Sequence, residues 1–193
     1  MKLNLIKFKS VKSTNDEAIK IIRSKKNYQG IILSNLQTKG RGTMGKKWVS
    51  LRGNFFASIF FELKKNMPNY KEFSLINPVI IKKILKDYSR FEIKIKLPND
   101  LLIKSRKVCG ILQELIKVDK KSFLIIGIGI NTLKSPNDIK FKSISFGHGI
   151  PMYTPNNYYK FSKNPLLDDS SYKYTEIRGD ERIRQYISAK LNS

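Results

Sequence analysis

Cysteine, histidine and tryptophan occur once each in the 193 residues of this chain. A lone thiol, Cys109, excludes an internal disulfide framework, and a lone histidine, His148, leaves no Cys/His cluster for zinc. Cys109 stands between Val108 and Gly110 in an apolar segment with no histidine nearby, so it reads as a buried, inert thiol suited to a reducing cytoplasm. Long apolar runs are also missing. No segment approaches the ~20 residues of a membrane span, and the stretch from Met1 to Lys7 has too short an apolar core for a signal peptide. Acidic residues are scarce: 15 against 38 Lys and Arg, a net charge of +23. Such a charge invites a nucleic-acid reading, but the lysines lie scattered among Asn and Ile, gather on no helix face and follow no helix-turn-helix. The expectation is that nucleic acid and membrane are not the partners. The positive field instead draws in small anions and acidic proteins, an attraction that salt screens.

What is present suffices for one sizeable core, with 40% apolar residues and a mean hydropathy of -0.36. Leu3 to Phe8 alternates apolar and polar residues and predicts a strand. Ser13 or Thr14 then caps a helix, with Asp16 and Glu17 at capping-box spacing and Ala18, Ile19, Ile21 and Ile22 as its buried stripe. Gly30 to Leu33 opens a strand, and Asn54 to Phe61 is a phenylalanine-rich strand buried on both faces. Phe73, Ile76, Ile80, Ile81, Ile84 and Leu85 fall at helical spacing, with Pro78 expected in the first turn or at a kink. Four further strands are read over 91–97, 101–104, 108–118 and 122–130, with tight turns at 104–106 and 119–121. Short turns between successive strands imply antiparallel pairing, so the fold class is α+β: a mixed, mainly antiparallel sheet covered by helices. Residues 1–146 are expected to form this domain. From 147 to 193 the chain turns to Gly, Pro, Asn, Tyr and Ser and holds 7 of the 38 basic residues against 5 acids. That tail reads as partly disordered, with one amphipathic helix near 180–191.

The densest signal runs from Gln37 to Trp48. Gly40, Gly42 and Gly45 fall within six residues, among the cations Lys39, Arg41, Lys46 and Lys47. Glycines at that density describe a loop whose bare backbone N–H groups can wrap an anion. Further along come Lys96-Leu97-Pro98-Asn99-Asp100, then Arg106-Lys107-Val108-Cys109-Gly110-Ile111-Leu112-Gln113-Glu114, then Gly127-Ile128-Gly129-Ile130-Asn131. With Ser13-Thr14-Asn15 near the start, these blocks stand in the order and spacing of biotin protein ligases. The chain resembles that family's catalytic domain over residues 1 to about 146, and the biotin/lipoate ligase-like layout agrees with the fold class just read.

The resemblance implies a two-step reaction: biotin and ATP give biotinyl-5′-adenylate, which a lysine of a biotin carboxyl carrier protein then attacks. It implies Lys107, Arg41 and Asp100 as catalytic groups. Ser13, Thr14, Asn15, Gln37, Gly40, Arg41, Gly42, Lys107 and Gly110 would hold biotin, whose ureido ring needs donors and acceptors in a fixed array. Thr43, Met44, Lys46, Trp48, Asn99 and Asn131 would meet the nucleotide. Asn131 would read the adenine edge, with Gly127 and Gly129 letting that strand approach the ring. Asn99 and Asp100, in a turn set by Pro98, are candidate Mg²⁺ ligands, and Asp100 could alternatively assist the incoming lysine. Two departures carry expectations. Thr43-Met44 replaces a pair of arginines, one of which helps retain the adenylate, and Leu97 replaces a tryptophan, which should loosen the pocket against biotin. Two alternatives stay open. One is a truncated protein that holds biotin or adenylate without completing transfer; the other is a lipoate–protein ligase, disfavoured because no Arg-x-Ser-Gly-Gly-Gly loop is present. Motifs that begin at the N-terminus also argue against a DNA-binding repressor.

Overall fold

The computed structural model of the chain describes residues 3–136 and 142–146. His148 and the helix expected near 180–191 lie outside the described residues. Along the chain come β1 (Asn4–Phe8), α1 (Thr14–Arg23), β2 (Gly30–Ser34), β3 (Phe55–Glu62), α2 (Tyr70–Lys86), β4 (Ile93–Lys96), β5 (Asp100–Ile103), β6 (Arg106–Val118) and β7 (Lys121–Ile130). The strands form a single sheet in the order β1-β2-β3-β7-β6-β5-β4. Only β1 and β2 run parallel, joined across α1, and every other pair is antiparallel. The turns read at 104–106 and 119–121 are tight enough to place Lys104, Ser105 and Asp119 at positive φ. Among the described residues no helix is long and apolar enough to cross a membrane.

The period-two pattern sorts side chains onto two faces. One face packs under α2 as a continuous core of Ile31, Leu33, Ala57, Ile59, Phe61, Ile81, Leu85, Leu101, Ile103, Val108, Cys109, Leu124, Ile126 and Ile128. The other packs under α1 as a smaller cluster of Ala18, Ile22, Ile32, Phe60, Phe123 and Ile125. Fully burying a side chain such as Ile22 contributes roughly 1.5–3 kcal/mol, which anchors α1 through its apolar stripe. Beyond the N-terminus of α1 the side chains on that face shrink. Ser58 of β3 stands opposite Gly127 of β7, and Gly129 stands opposite Gly110 of β6. The sheet therefore has a hollow where the helix stops covering it.

Two local expectations need correction. Ser13 is the N-cap of α1 but its side chain caps nothing, because the polar groups of this turn face the hollow. The capping box belongs to α2, where Asn69 accepts from Lys71 N and Glu72 N and Glu72 accepts from Asn69 N. Pro78 lies well inside α2, past the first turn, which leaves only the kink of the two placements expected for it, and it is buried with Asn77, Ile81 and Leu85.

Candidate active site

The hollow is a cleft with about 410 Å³ of empty space, counting its open mouth. Ser13, Thr14, Asn15, Gln37, Arg41, Gly42, Thr43, Trp48, Asn99, Lys107 and Gly110 line it, so most residues singled out in the sequence do converge. Ile111, Leu112, Gly127, Ile128 and Gly129 complete its wall.

Lys107 reaches the cleft through a β-bulge. The pairing of β5 with β6 shifts between Leu101↔Cys109 and Leu102↔Lys107, so Val108 is an extra residue. Val108 and Cys109, though consecutive, both enter the core under α2. Lys107 is thereby turned to the opposite face, the re-aiming that bulges provide. Its Nζ lies 2.6 Å from Asp100 Oδ1 and 5.3 Å from the Trp48 ring centroid. Asp100 is the register partner of Gly110 across the sheet and faces the same side. The backbone of Lys107 is held on both sides: its N–H donates to Lys142 O (2.9 Å), and its carbonyl accepts from Ile144 N (3.0 Å).

The Gly-rich loop departs from the expected open anion cradle. It folds back on itself as a closed hairpin, with Trp48 N donating to Gly40 O (2.9 Å) and Gly42 N donating to Lys46 O (2.7 Å). The reversal comes at Met44 and Gly45, at φ 54° and 71°. Gly42 is extended (φ -116°) and does not require glycine. Gly40 does: a Cβ there would stand 2.5 Å from Trp48 O and 2.8 Å from Ser50 Oγ. Gly40 thus shapes the loop from behind and does not line the cleft. Met44 is 91% exposed and Lys46 is also exposed, so neither faces the hollow. Leu97 is 61% exposed and stands outside the lining, so at this position the leucine gives the cleft no wall.

Arg41 bridges the loop to both neighbouring elements. Its guanidinium is bidentate on Glu114 of β6 (2.8 Å twice) and also meets Asp16 of α1 at 2.7 Å. Glu114 above all, and Asp16 with it, push the guanidinium pKa up. Glu114 also accepts from Asn15 Nδ2 at 2.7 Å. A bidentate carboxylate pair of this kind fixes geometry as well as charge. Sequence reading took Asp16 for a helix-capping residue and Glu114 for a member of a motif block, and gave neither a place in the site. Their signal was available, since both carboxylates sit inside blocks with polar neighbours in a chain short of acids.

Trp48 lies flat on the two opposed glycines. A Cβ on Gly129 would meet Trp48 Cε2 at 2.5 Å, and one on Gly110 would meet Cζ3 at 2.6 Å. Gly127 is covered instead by the Asn15 amide. The glycines of β7 thus make room for the protein's own side chains. Asn131 is not in the lining either. It is 2% exposed, with Nδ2 donating to Ile144 O (3.3 Å) and Lys107 O (3.5 Å), and Oδ1 accepting from Asn54 (3.4 Å). The side chain backs Lys107 from behind the sheet.

Asn99 and Asp100 were the candidate metal ligands. Asn99 turns its Nδ2 to Ile111 O and Thr43 Oγ1, and Asp100 is neutralised by Lys107. No group of three or more His, Cys, Asp and Glu gathers among the described residues. This donor set does not fit a resident Mg²⁺.

Residues 7–131 match the Biotin/lipoate A/B protein ligase family, and the chain belongs to that family. It is 35% identical over 112 residues to the Bacillus subtilis bifunctional ligase/repressor BirA, covering 56% of this chain and 34% of that protein. Identity to the Escherichia coli counterpart is 34% over 101 residues, or 51% and 32% of the two chains. The chain thus spans about a third of the length of these curated relatives. The Aquifex aeolicus biotin protein ligase in complex with biotin and ATP superposes with a TM-score of 0.67 at 27% identity, covering 98% of this chain and 70% of that one. The Leishmania major biotin protein ligase, at 21% identity and a TM-score of 0.65, shares the fold.

Proposed function

We propose that this protein activates biotin with ATP to biotinyl-5′-adenylate and passes the biotinyl group to a lysine of a biotin carrier protein. One observation carries the reading. A single cleft joins a polar end built by Ser13, Thr14, Asn15 and Gln37 to a cationic end built by Lys107, in a chain of this family. The polar residues suit a ureido head, and a valeryl chain would run from them toward the lysine.

In the first step the biotin carboxylate oxygen bonds to the α-phosphorus of ATP and the bond to pyrophosphate breaks. Two anions meet, so a cation at the junction must offset their repulsion. Lys107 supplies it, held in line by Asp100. In the second step a carrier lysine attacks the mixed anhydride and AMP leaves. That amine is almost fully protonated near neutrality, since its ordinary pKa is about 10.4, and Asp100 is the carboxylate placed to accept its proton. Trp48, Asn99 and Thr43 stand beside the adenylate. Mg²⁺ is assigned to the ATP phosphates and not to a protein cage. The cytoplasm is the proposed compartment, in keeping with a single buried, reduced cysteine.

Incubation with biotin, α-labelled ATP and Mg²⁺, with and without a biotin carrier domain, tests both steps separately. The expected result is labelled adenylate in the first case and biotinylated carrier in the second. Adenylate without carrier labelling would leave a binding protein that stops at the first step. Adenylate formed with lipoate and not with biotin would overturn the reading.

A further inference from the structure

The hairpin from Gly40 to Trp48 gives the cleft Arg41, Thr43 and Trp48. Its own backbone bonds, Gly42 N to Lys46 O and Trp48 N to Gly40 O, close it on itself and do not tie it to the sheet. Arg41 makes that tie. Nη1 donates to Glu114 Oε1 and Nη2 to Glu114 Oε2, each at 2.8 Å, and Nη2 also meets Asp16 Oδ1 at 2.7 Å. Hairpin, α1 and β6 are thereby pinned at one point. The three side chains are only 24–38% exposed, so water screens the cluster in part and does not dissolve it.

This arrangement changes what Arg41 can do. Both terminal nitrogens are committed, and two carboxylates against one guanidinium leave this corner of the cleft without net positive charge for an anion. Lys107 remains the cation. What the cluster does fix is position, as a bidentate pair does. Glu114 and Lys107 belong to the same strand, β6, so the pair sets the hairpin against the strand that carries the ammonium. Trp48 rides on that hairpin and lies on Gly110 and Gly129 of the sheet.

We propose that Glu114 is a positioning residue: through Arg41 it holds the hairpin, and Trp48 with it, against β6, and Arg41 serves as a latch and not as a cation for the substrates. The inference rests on the adenylation reading and deepens it. Glu114 touches neither biotin nor nucleotide.

The test uses Arg41→Met, Glu114→Gln and the double variant. Glutamine keeps the volume of Glu114 and an oxygen for Asn15 Nδ2, but turns an N–H toward the guanidinium. Trp48 is the only tryptophan in the chain, so acrylamide quenching of its fluorescence reports the hairpin without any ligand. Steady-state adenylation then separates KM from kcat. Each single variant should expose Trp48 to the quencher and raise KM for ATP about tenfold with kcat within about 3-fold, the mark of a lost wall and not of a lost catalytic charge. The double variant should be no worse than either single one, because both remove the same contact. Unchanged quenching in the folded single variants would overturn the assignment. So would a fall in kcat at unchanged KM, or losses that multiply in the double variant, which would put Arg41 on the substrate. Should either single variant fail to fold by circular dichroism, Glu114→Asp shortens the carboxylate and must shift quenching and KM in the same direction; wild-type values there overturn the assignment too. Altered quenching in a protein whose wild type forms no adenylate would uphold the latch and overturn the functional reading instead.

Discussion

Replacing Lys107 by alanine has two separable consequences. The ammonium stands 2.6 Å from Asp100 Oδ1, and the two side chains are only 31% and 19% exposed. Truncation takes the cation from the cleft, and a lost donor at a developing charge costs about 2.7–4 kcal/mol, or roughly 100- to 1000-fold in rate. It also strips Asp100 of its counter-charge, which costs about 1–3 kcal/mol of stability, toward the low end because water still reaches the pair. The double variant Lys107→Ala/Asp100→Asn removes both charges together. It should regain most of the stability and none of the rate. Single-turnover formation of labelled adenylate gives the first quantity, and urea denaturation the second. An adenylation rate within about 3-fold of wild type in Lys107→Ala, or a recovered rate in the double variant, would refute the role given to Lys107.

Gly40→Ala should weaken biotin binding about tenfold or more, because its Cβ would press on Trp48 O and Ser50 Oγ. Gly42→Val, on extended backbone with its nearest neighbour 3.3 Å away, should be the milder change; calorimetry that reverses this order would contradict the loop geometry. Thr43→Arg should slow release of the adenylate, since Thr43 lines the cleft beside Asn99 and a guanidinium makes charge-assisted bonds to phosphate that a hydroxyl cannot; equal dissociation rates in a filter-retention assay would refute it. Burial pushes the Cys109 thiol far above its ordinary range, so the folded chain keeps the proton that the unfolded chain loses above about pH 8.5. Stability from this group is thus intact below that pH and declines above it, by up to about 1.4 kcal/mol per pH unit. Urea titrations of wild type and Cys109→Ala between pH 8 and 10 should differ in slope, and parallel curves would exclude the thiol as the cause.

The strands and both helices were legible because apolar periodicity reports burial directly. β2, β3 and β7 are near-continuous apolar runs, as strands buried on both faces require. The cleft was legible in part, because glycines and polar residues in an apolar chain mark where packing stops. The direction in which each side chain points was not. Gly42 and Gly40 look alike in sequence, yet only Gly40 lacks space for a Cβ. Asn131 follows two glycines and looks exposed to a ligand, but a strand end pinned by Asn54 turns it inward. Ser58 carried a signal that went unread: one hydroxyl between Ala57 and Ile59, in a strand otherwise apolar up to Glu62, needs polar partners when buried. Those partners lie 43 and 44 residues away, and no local pattern names them.

That long reach explains how separate blocks act as one site. Asn54 accepts from Leu133 N and Lys134 N at 3.0 Å each and donates to Lys134 O at 2.7 Å, fixing the turn after β7. The turn sets Asn131, and Asn131 with the 142–144 segment sets the backbone of Lys107. The bulge at Val108 then decides the face from which the ammonium emerges. A lysine side chain is flexible and loses considerable rotamer entropy when held in one geometry. Here the Asp100 carboxylate fixes its tip and the Asn131 clasp fixes its root, so the charge is placed before any substrate arrives. Pre-placed charge gives more at a transition state than charge that must reorganise as the reaction proceeds. On the proposed mechanism, the Gly-Ile-Gly-Ile-Asn block would contribute by making room for Trp48 and by steadying Lys107.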